Sequence, residues 1–345
     1  MKNKVASITN NLLLVIKISA MIAPCLANQK KRDPIIGILG QYSKDLLGKY
    51  IPNSNSTSAF ISKSYVTWVS QAGAIPLIIP YNYPKKLVEK VLEDVDLVLL
   101  PGGANLLADL NLHPTLYQEI GELAIKTSIR KFDEEGIIYP VIATCLGFQQ
   151  VAIYFSGHKV SVIKGWKKGE SGGQTLDLEP DFWNSRIYKN FDKTLVEDVA
   201  SLGNVYFSHK YSVLFEAYQK YLSDQFLLTS TSRAKNPQHE RFVSSMEHVK
   251  YPIFGTQYHP EKNQYERKPG NMTKLRRDMK TMQFMRDYII DIVSMARPFS
   301  EKRKNVPKYL NAFFATNSGD TFAYPGWVYE RVYLFHNLIF QSILN

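Results

Sequence analysis

Cys145 stands in Val141-Ile142-Ala143-Thr144-Cys145-Leu146-Gly147-Phe148-Gln149. A β-branched apolar run drives into a small-x-Cys-x-Gly turn, and a helical pattern follows. That is the sequence form of a nucleophile elbow, a sharp strand-to-helix turn that exposes one reactive side chain. Small residues suit the crowded, strained backbone there. The helix aims its N-terminal amides at the sulfur and so favours the thiolate. Downstream, Gly255-Thr256-Gln257-Tyr258-His259-Pro260-Glu261 supplies an imidazole and a carboxylate two residues apart. On an extended segment such residues share a face, so Glu261 can orient His259 while His259 manages the proton of Cys145. A thiolate attacking an amide carbon also needs donors for the developing oxyanion. The amide of Leu146 is the expected first donor and the amide of Gly103, in Pro101-Gly102-Gly103, the second.

The elements around these residues predict how they are held. Short apolar runs at Pro34 to Leu39, Ile75 to Ile79, Val95 to Leu100 and Ile137 to Ile142 read as buried strands. Between them Ala59 to Ala72, Lys85 to Leu92 and Thr115 to Phe132 carry helical periodicity. This alternation predicts an α/β fold, a central, mostly parallel sheet with helices on both faces. Pro101-Gly102-Gly103 and Cys145 then fall at the carboxyl ends of consecutive strands, where such sheets gather their functional loops. Past residue 156 the pattern changes. Gly157 to Ser201 reads as irregular and polar, with 169–173 a loop. Val205 to Phe207, Phe226 to Thr231, Phe242 to Glu247 and Ile253 to Tyr258 read as strands, the later ones as hairpins. Lys280 to Met295 reads as a helix whose Met282, Met285, Ile289, Ile292 and Val293 stripe faces the core.

The 345 residues, 45% hydrophobic, suffice for a sizeable core. Lys2 and Lys4, the apolar stretch from Leu12 to Ile22, and the small residues of Cys25-Leu26-Ala27 read as a secretory signal peptide over 1–27. Lys17, in the middle of that short stretch, disfavours the rival reading of a membrane anchor. Cleavage would remove Cys25 and leave Cys145 unpaired, which suits a reactive thiol rather than a disulfide framework. In that compartment the sequons at Asn55 and Asn271 become glycan sites on surface loops. A catalytic domain over 28–300 and an aromatic-rich extension over 301–345, packed on it, complete the expected organisation. The net charge of +11 gathers at Arg267, Lys268, Lys274, Arg276, Arg277 and Lys280, and at Lys302, Arg303 and Lys304. Each cluster reads as solvated surface whose summed field favours a polyanionic substrate. No nucleic-acid motif, metal-ligand spacing or cofactor fingerprint is present. The expected partner is a small-molecule substrate, with a homodimer admitted.

Together the ordered motifs resemble the class I glutamine amidotransferase-like hydrolases, and within them the γ-glutamyl hydrolase family. The resemblance rests on Pro34-Ile35-Ile36-Gly37-Ile38-Leu39, Ser64-Tyr65-Val66, Ala72-Gly73-Ala74, Leu100-Pro101-Gly102-Gly103 and Thr144-Cys145-Leu146-Gly147-Phe148. It continues through Phe207-Ser208-His209-Lys210-Tyr211-Ser212 and Tyr258-His259-Pro260-Glu261-Lys262, so it covers roughly residues 34–295. It implies a flavodoxin-like sheet and a Cys145-His259-Glu261 triad. The implied activity is cofactor-free hydrolysis of poly-γ-glutamyl folates in a secreted, lysosomal or vacuolar setting. His209 matches a histidine lining the family's γ-glutamyl pocket. Gln149 stands where amidotransferases carry Gln and some γ-glutamyl hydrolases carry Glu, which suggests a substrate contact. Ala143 replaces the more usual glycine before the nucleophile. Two rivals stay open at this point: a hydrolase of other γ-glutamyl amides or a glutaminase-type domain, and an inactive binding protein on the same fold. His113, His158, His239, His248 and His336 lie in no comparable context and read as surface or structural residues.

Overall fold

β1 (Ile35–Tyr42) starts the sheet because its alternate side chains serve two cores at once. Ile36 and Ile38 enter one apolar cluster, Ile35 and Leu39 the other, as the two-residue period of a strand requires. In this computed structural model, residues 32–42, 59–235, 239–266, 278–303, 305–313, 321–322 and 332–335 are described. Contacts divide the chain after Arg32, and the unit from Asp33 onward carries the whole of the sheet. Residues 1–27, read above as a signal peptide, and the sequons at Asn55 and Asn271 lie outside the described residues, as do the basic residues from Arg267 to Arg277, Lys304 and His336.

The next elements are β2 (Ala59–Ser62), α1 (Lys63–Gln71), β3 (Ile75–Pro80), α2 (Lys85–Asp94), β4 (Leu97–Leu100), α3 (Leu116–Glu135), β5 (Val141–Thr144) and α4 (Leu146–Phe155). Then come β6 (Ile163–Gln174), β7 (Asp177–Leu178), α5 (Lys193–Ser201), β8 (Val205–Val213), α6 (Phe215–Tyr221), β9 (Phe226–Arg233), β10 (Arg241–His248) and β11 (Ile253–Thr256). α7 (Pro260–Tyr265), α8 (Met279–Lys302), β12 (Thr321–Phe322) and β13 (Val332–Phe335) complete the helices and strands among the described residues. β3, β1, β4, β5 and β11 lie side by side in that order, all parallel. β10, β9 and β7 extend the β11 edge antiparallel. The α/β class read from the sequence is the class observed. α1, α5 and α8 pack one face of the sheet; α2, α3 and α4 pack the other.

Two readings need correction. Residues 59–62 are a strand rather than the start of a helix. They pair antiparallel with the end of β1 and with β13, and all four are buried. The helix begins only at Lys63, because the Ser62 side chain accepts from the Ser64 amide and caps it. Within 157–201, read as irregular, β6 forms a long antiparallel pair with β8, broken between Gly165 and Glu170 by a register shift. Its glycines and lysines hide a strand whose partner lies far along the chain. α5 lies there too, capped by Asp192. Near the C-terminus, Leu310 and Phe313 are buried.

Candidate active site

Cys145 ends β5 and caps α4 with φ 50° and ψ −98°. Positive φ strains any residue with a Cβ. The strain is held from both sides: the Cys145 amide donates to the Thr256 carbonyl at 2.7 Å, and the Gly147 amide donates to the Pro101 carbonyl at 3.2 Å. Gly147 must lack a side chain, because a Cβ there would lie 2.1 Å from the Leu100 oxygen. Leu146 is the first residue of α4, so its amide has no partner within the helix. The sulfur lies 3.6 Å from the Ser208 carbonyl on β8.

β11 runs beside β5 in register, Thr256 against Thr144, so the chain leaving β11 emerges next to the elbow. His259 is fixed there by its amide, which donates to Tyr206 O at 2.8 Å. Its Nδ1 donates to Glu261 Oε1 at 2.8 Å, and Glu261 is wholly buried. The tautomer follows: Nδ1 carries its proton toward the carboxylate and Nε2 is left for the sulfur. A Cβ built on Gly102 would lie 2.5 Å from His259 Cε1 and 3.0 Å from Cys145 Cβ, so the glycine leaves room for ring and nucleophile, and His259 Nε2 has no hydrogen-bond partner among the described residues. Burial opposes an imidazolium here, but the Glu261 carboxylate and the Cys145 thiolate outweigh it and push His259 up to about 10.

A cleft of about 520 Å³ opens over the pair, with Gly103, Cys145, Leu146, Gln149, His209 and His259 on its walls. Cys145, His259, Leu146, Gly103, His209 and Gln149, singled out in the sequence, thus share one site, with Glu261 buried behind His259. His209 Nδ1 donates to the Tyr211 carbonyl at 3.1 Å, and its Nε2 has no partner among the described residues. Burial, reinforced by His259, pushes His209 down to about 3 despite that carbonyl. It is therefore neutral, with a buried Nε2 at the cleft wall. Gln149 donates Nε2 to Tyr211 O at 2.7 Å and to Gln257 Oε1 at 3.3 Å, so its amide nitrogen braces β8 against the segment that carries His259.

Several site residues had no role in the sequence. Tyr65 accepts from the Gly102 amide at 2.7 Å and lies 3.4 Å from His259 Nδ1. Gln41 donates to the Gly102 carbonyl. Glu170, Lys210 and Lys262 give the cleft wall charges of both signs. Tyr65, Lys210 and Lys262 stood within the resemblance motifs without a role of their own, while Gln41 and Glu170 carried no signal. Among the described residues no cluster of three His, Cys, Asp or Glu could hold a metal ion.

The pattern of the peptidase C26 family matches residues 34–261. The γ-glutamyl hydrolase of Bos taurus is 31% identical over 252 residues, 71% of this chain and 71% of that one. That of Mus musculus is 29% identical over 285 residues, 81% and 83% of the two chains. γ-Glutamyl hydrolase 1 of Arabidopsis thaliana is 26% identical and spans 88% of this chain and 82% of its own. A solved structure, the glutaminase domain of Trypanosoma brucei CTPS with bound acivicin, aligns at TM-score 0.44 and 14% identity over 80% of this chain and 97% of that one.

Proposed function

The chain belongs to the peptidase C26 family, and from that premise we propose that it is a γ-glutamyl hydrolase working through a Cys145-His259-Glu261 triad on poly-γ-glutamyl folates. The observation that carries the mechanism is Cys145, strained at φ 50°, beside an imidazole whose other nitrogen is committed to a buried carboxylate at 2.8 Å.

The thiolate attacks the γ-carbonyl carbon of the substrate. The C–S bond forms as the carbonyl electrons move to oxygen, where the Leu146 and Gly103 amides receive the charge. The intermediate collapses as His259 passes its Nε2 proton to the departing amine nitrogen, which leaves a γ-glutamyl thioester on Cys145. Water, deprotonated by His259, attacks the thioester and restores the thiolate. Glu261 holds the ring in the tautomer that serves both steps and stabilises the imidazolium between them. His209, neutral and with no Nε2 partner among the described residues, lies on the cleft wall where the glutamyl unit would bind. Lys210 and Lys262 on the cleft wall suit its carboxylates.

The finer setting belongs to the same proposal: a signal peptide over 1–27, glycans on Asn55 and Asn271, a mature enzyme that is secreted or kept in a lysosome or vacuole, a catalytic domain over 28–300 and an appended 301–345. Among the described residues no helix is long and apolar enough to cross a membrane.

The test is product analysis by liquid chromatography with poly-γ-glutamyl folate and its α-linked isomer. An α-linked unit offers its carbonyl at a different distance from its charges, and a displacement near 1 Å costs roughly a hundredfold. Cleavage of the γ-linked chain alone is expected. Equal cleavage of both would mean a general peptidase, and ammonia release from glutamine at a comparable rate a glutaminase.

A further inference from the structure

The peptide bond between Gly102 and Gly103 is gripped from one side. Gln41, at the end of β1, donates Nε2 to the Gly102 carbonyl and is buried. The approach is so close that a Cβ on Gly103 would lie 2.3 Å from Gln41 Oε1. The Gly102 amide is engaged elsewhere, by the Tyr65 hydroxyl at 2.7 Å, so it is withheld from any substrate oxygen. A trans peptide points its C=O and N–H in opposite directions, and no described peptide bond is cis. With the Gly102 carbonyl turned to Gln41, the Gly103 N–H is turned the other way, and Gly103 shares the cleft wall with Cys145. A hydrogen bond donated to a carbonyl also polarises the rest of that amide and strengthens its N–H as a donor.

Gln41 is a costly residue to keep in this place. Its Oε1 is buried without a partner among the described residues, which lowers stability. An apolar side chain of the same length would avoid that cost but could not hold the Gly102 carbonyl.

We infer that Gln41 is a positioning residue for the oxyanion hole: by holding the Gly102 carbonyl it aims and polarises the Gly103 amide toward the oxygen that gains charge when Cys145 attacks an acyl carbon. This rests on the reading of Cys145 as the nucleophile.

The test compares the full-length wild type with Gln41→Met and Gln41→Glu. Each is assayed for hydrolysis of a γ-linked glutamyl peptide, for acylation by p-nitrophenyl acetate and for alkylation by iodoacetamide. The ester acylates a thiolate without γ-glutamyl recognition, and alkylation builds no oxyanion. Gln41→Met should lower kcat and the ester acylation rate roughly ten- to hundredfold. KM should stay within about twofold, and the alkylation rate should not change. Gln41→Glu should match that loss at neutral pH and recover toward wild type as pH falls, because a protonated carboxyl again donates to the Gly102 oxygen. Unchanged acylation in Gln41→Met would overturn the inference, as would alkylation falling in step with acylation, which marks general damage. If the wild type spares γ-glutamyl peptides while Gln41→Met still slows the ester, the functional reading falls and the role of Gln41 stands.

Discussion

At the scale of single residues, the proposed chemistry rests on His259, which its carboxylate and sulfur neighbours hold above the ordinary imidazole range. Against its burial, Glu261 and Cys145 together push His259 up to about 10, so the imidazole is placed to take the thiol proton, and iodoacetamide should label Cys145 in the wild type roughly tenfold or more faster than in His259→Ala. Equal rates would mean that ring and sulfur do not share a proton. In hydrolysis, Cys145→Ala and His259→Ala should each lose roughly a thousandfold or more in kcat, and the double variant little beyond either, since members of one catalytic unit are not additive. Glu261→Gln should fall less far, by roughly one to two orders of magnitude relative to His259→Ala. Losses that multiply in the double variant would mean that His259 acts elsewhere. Cys145, His259 and Glu261 are legible in the sequence because each sits in a short motif whose spacing encodes its geometry. Tyr65 is legible only as part of Ser64-Tyr65-Val66, without its role, and Gln41 is not. Their partners lie 37 and 61 residues away, and an aromatic or an amide at a strand end announces nothing until the sheet brings the Gly102 loop to it.

At the scale of elements, the site depends on two strand ends meeting, and Gly147 measures how closely. A Cβ there would lie 2.1 Å from the Leu100 oxygen and 2.6 Å from its carbonyl carbon, both of them backbone. Neither atom can swing aside as a side-chain tip would. Gly147→Ala should therefore cost about 3 kcal/mol in urea unfolding and should inactivate as well, because the shift moves Cys145 relative to Gly103. A variant as stable and active as the wild type would show that the elbow tolerates a looser fit. The same close-packed parallel strands are easy to read in the sequence. β1, β3, β4, β5 and β11 are buried on both faces, so each is a plain apolar run bounded by turn residues. β2 reads as helix because Phe60 and Ile61 fit the helical stripe that continues into α1 through Tyr65, Trp68 and Val69. Only the strand partners at Gln41 and Tyr333 distinguish the two. β6 escapes a sequence reading for the opposite reason: Lys164, Lys167, Gly169, Gly172 and Gly173 carry no apolar alternation, and its strand character comes from pairing with β8.

At the scale of the whole molecule, buried histidines should make folding sensitive to acid, which bears on the proposed lysosomal or vacuolar setting. Burial pushes His248 down to about 4, helped by Arg186 and Lys250, and pushes His209 down to about 3, helped by His259. Both stay neutral in the fold at pH values where an unfolded histidine, with a pKa of about 6.5, is protonated. Between those values the unfolded chain binds more protons than the native one. Their contribution is thus present above about 6.5 and is lost as pH falls toward the folded values, by at most about 1.4 kcal/mol per pH unit for each histidine. His259 runs the other way: its raised value adds stability below about 6.5 that is lost as pH rises toward 10. It therefore leaves the acid limb untouched. The positive net charge of +11 also grows in acid and adds self-repulsion, so a slope in the wild type alone would not isolate the histidines. His248 lies outside the cleft and its Nδ1 accepts from the Lys250 and Tyr251 amides at 3.0 and 3.1 Å, bonds that a protonated ring could not accept. His248→Gln replaces the titrating acceptor with one that does not titrate, while the charge field elsewhere is unchanged. Urea unfolding at intervals from pH 6.5 to 4.5 should give a shallower slope in the variant than in the wild type, by up to about one proton's worth, 1.4 kcal/mol per pH unit. The two curves should converge in slope above pH 7. Parallel curves throughout the acid range would mean that His248 takes up its proton in the folded state as readily as in the unfolded chain, and that acid lability, if present, is set by the carboxylates.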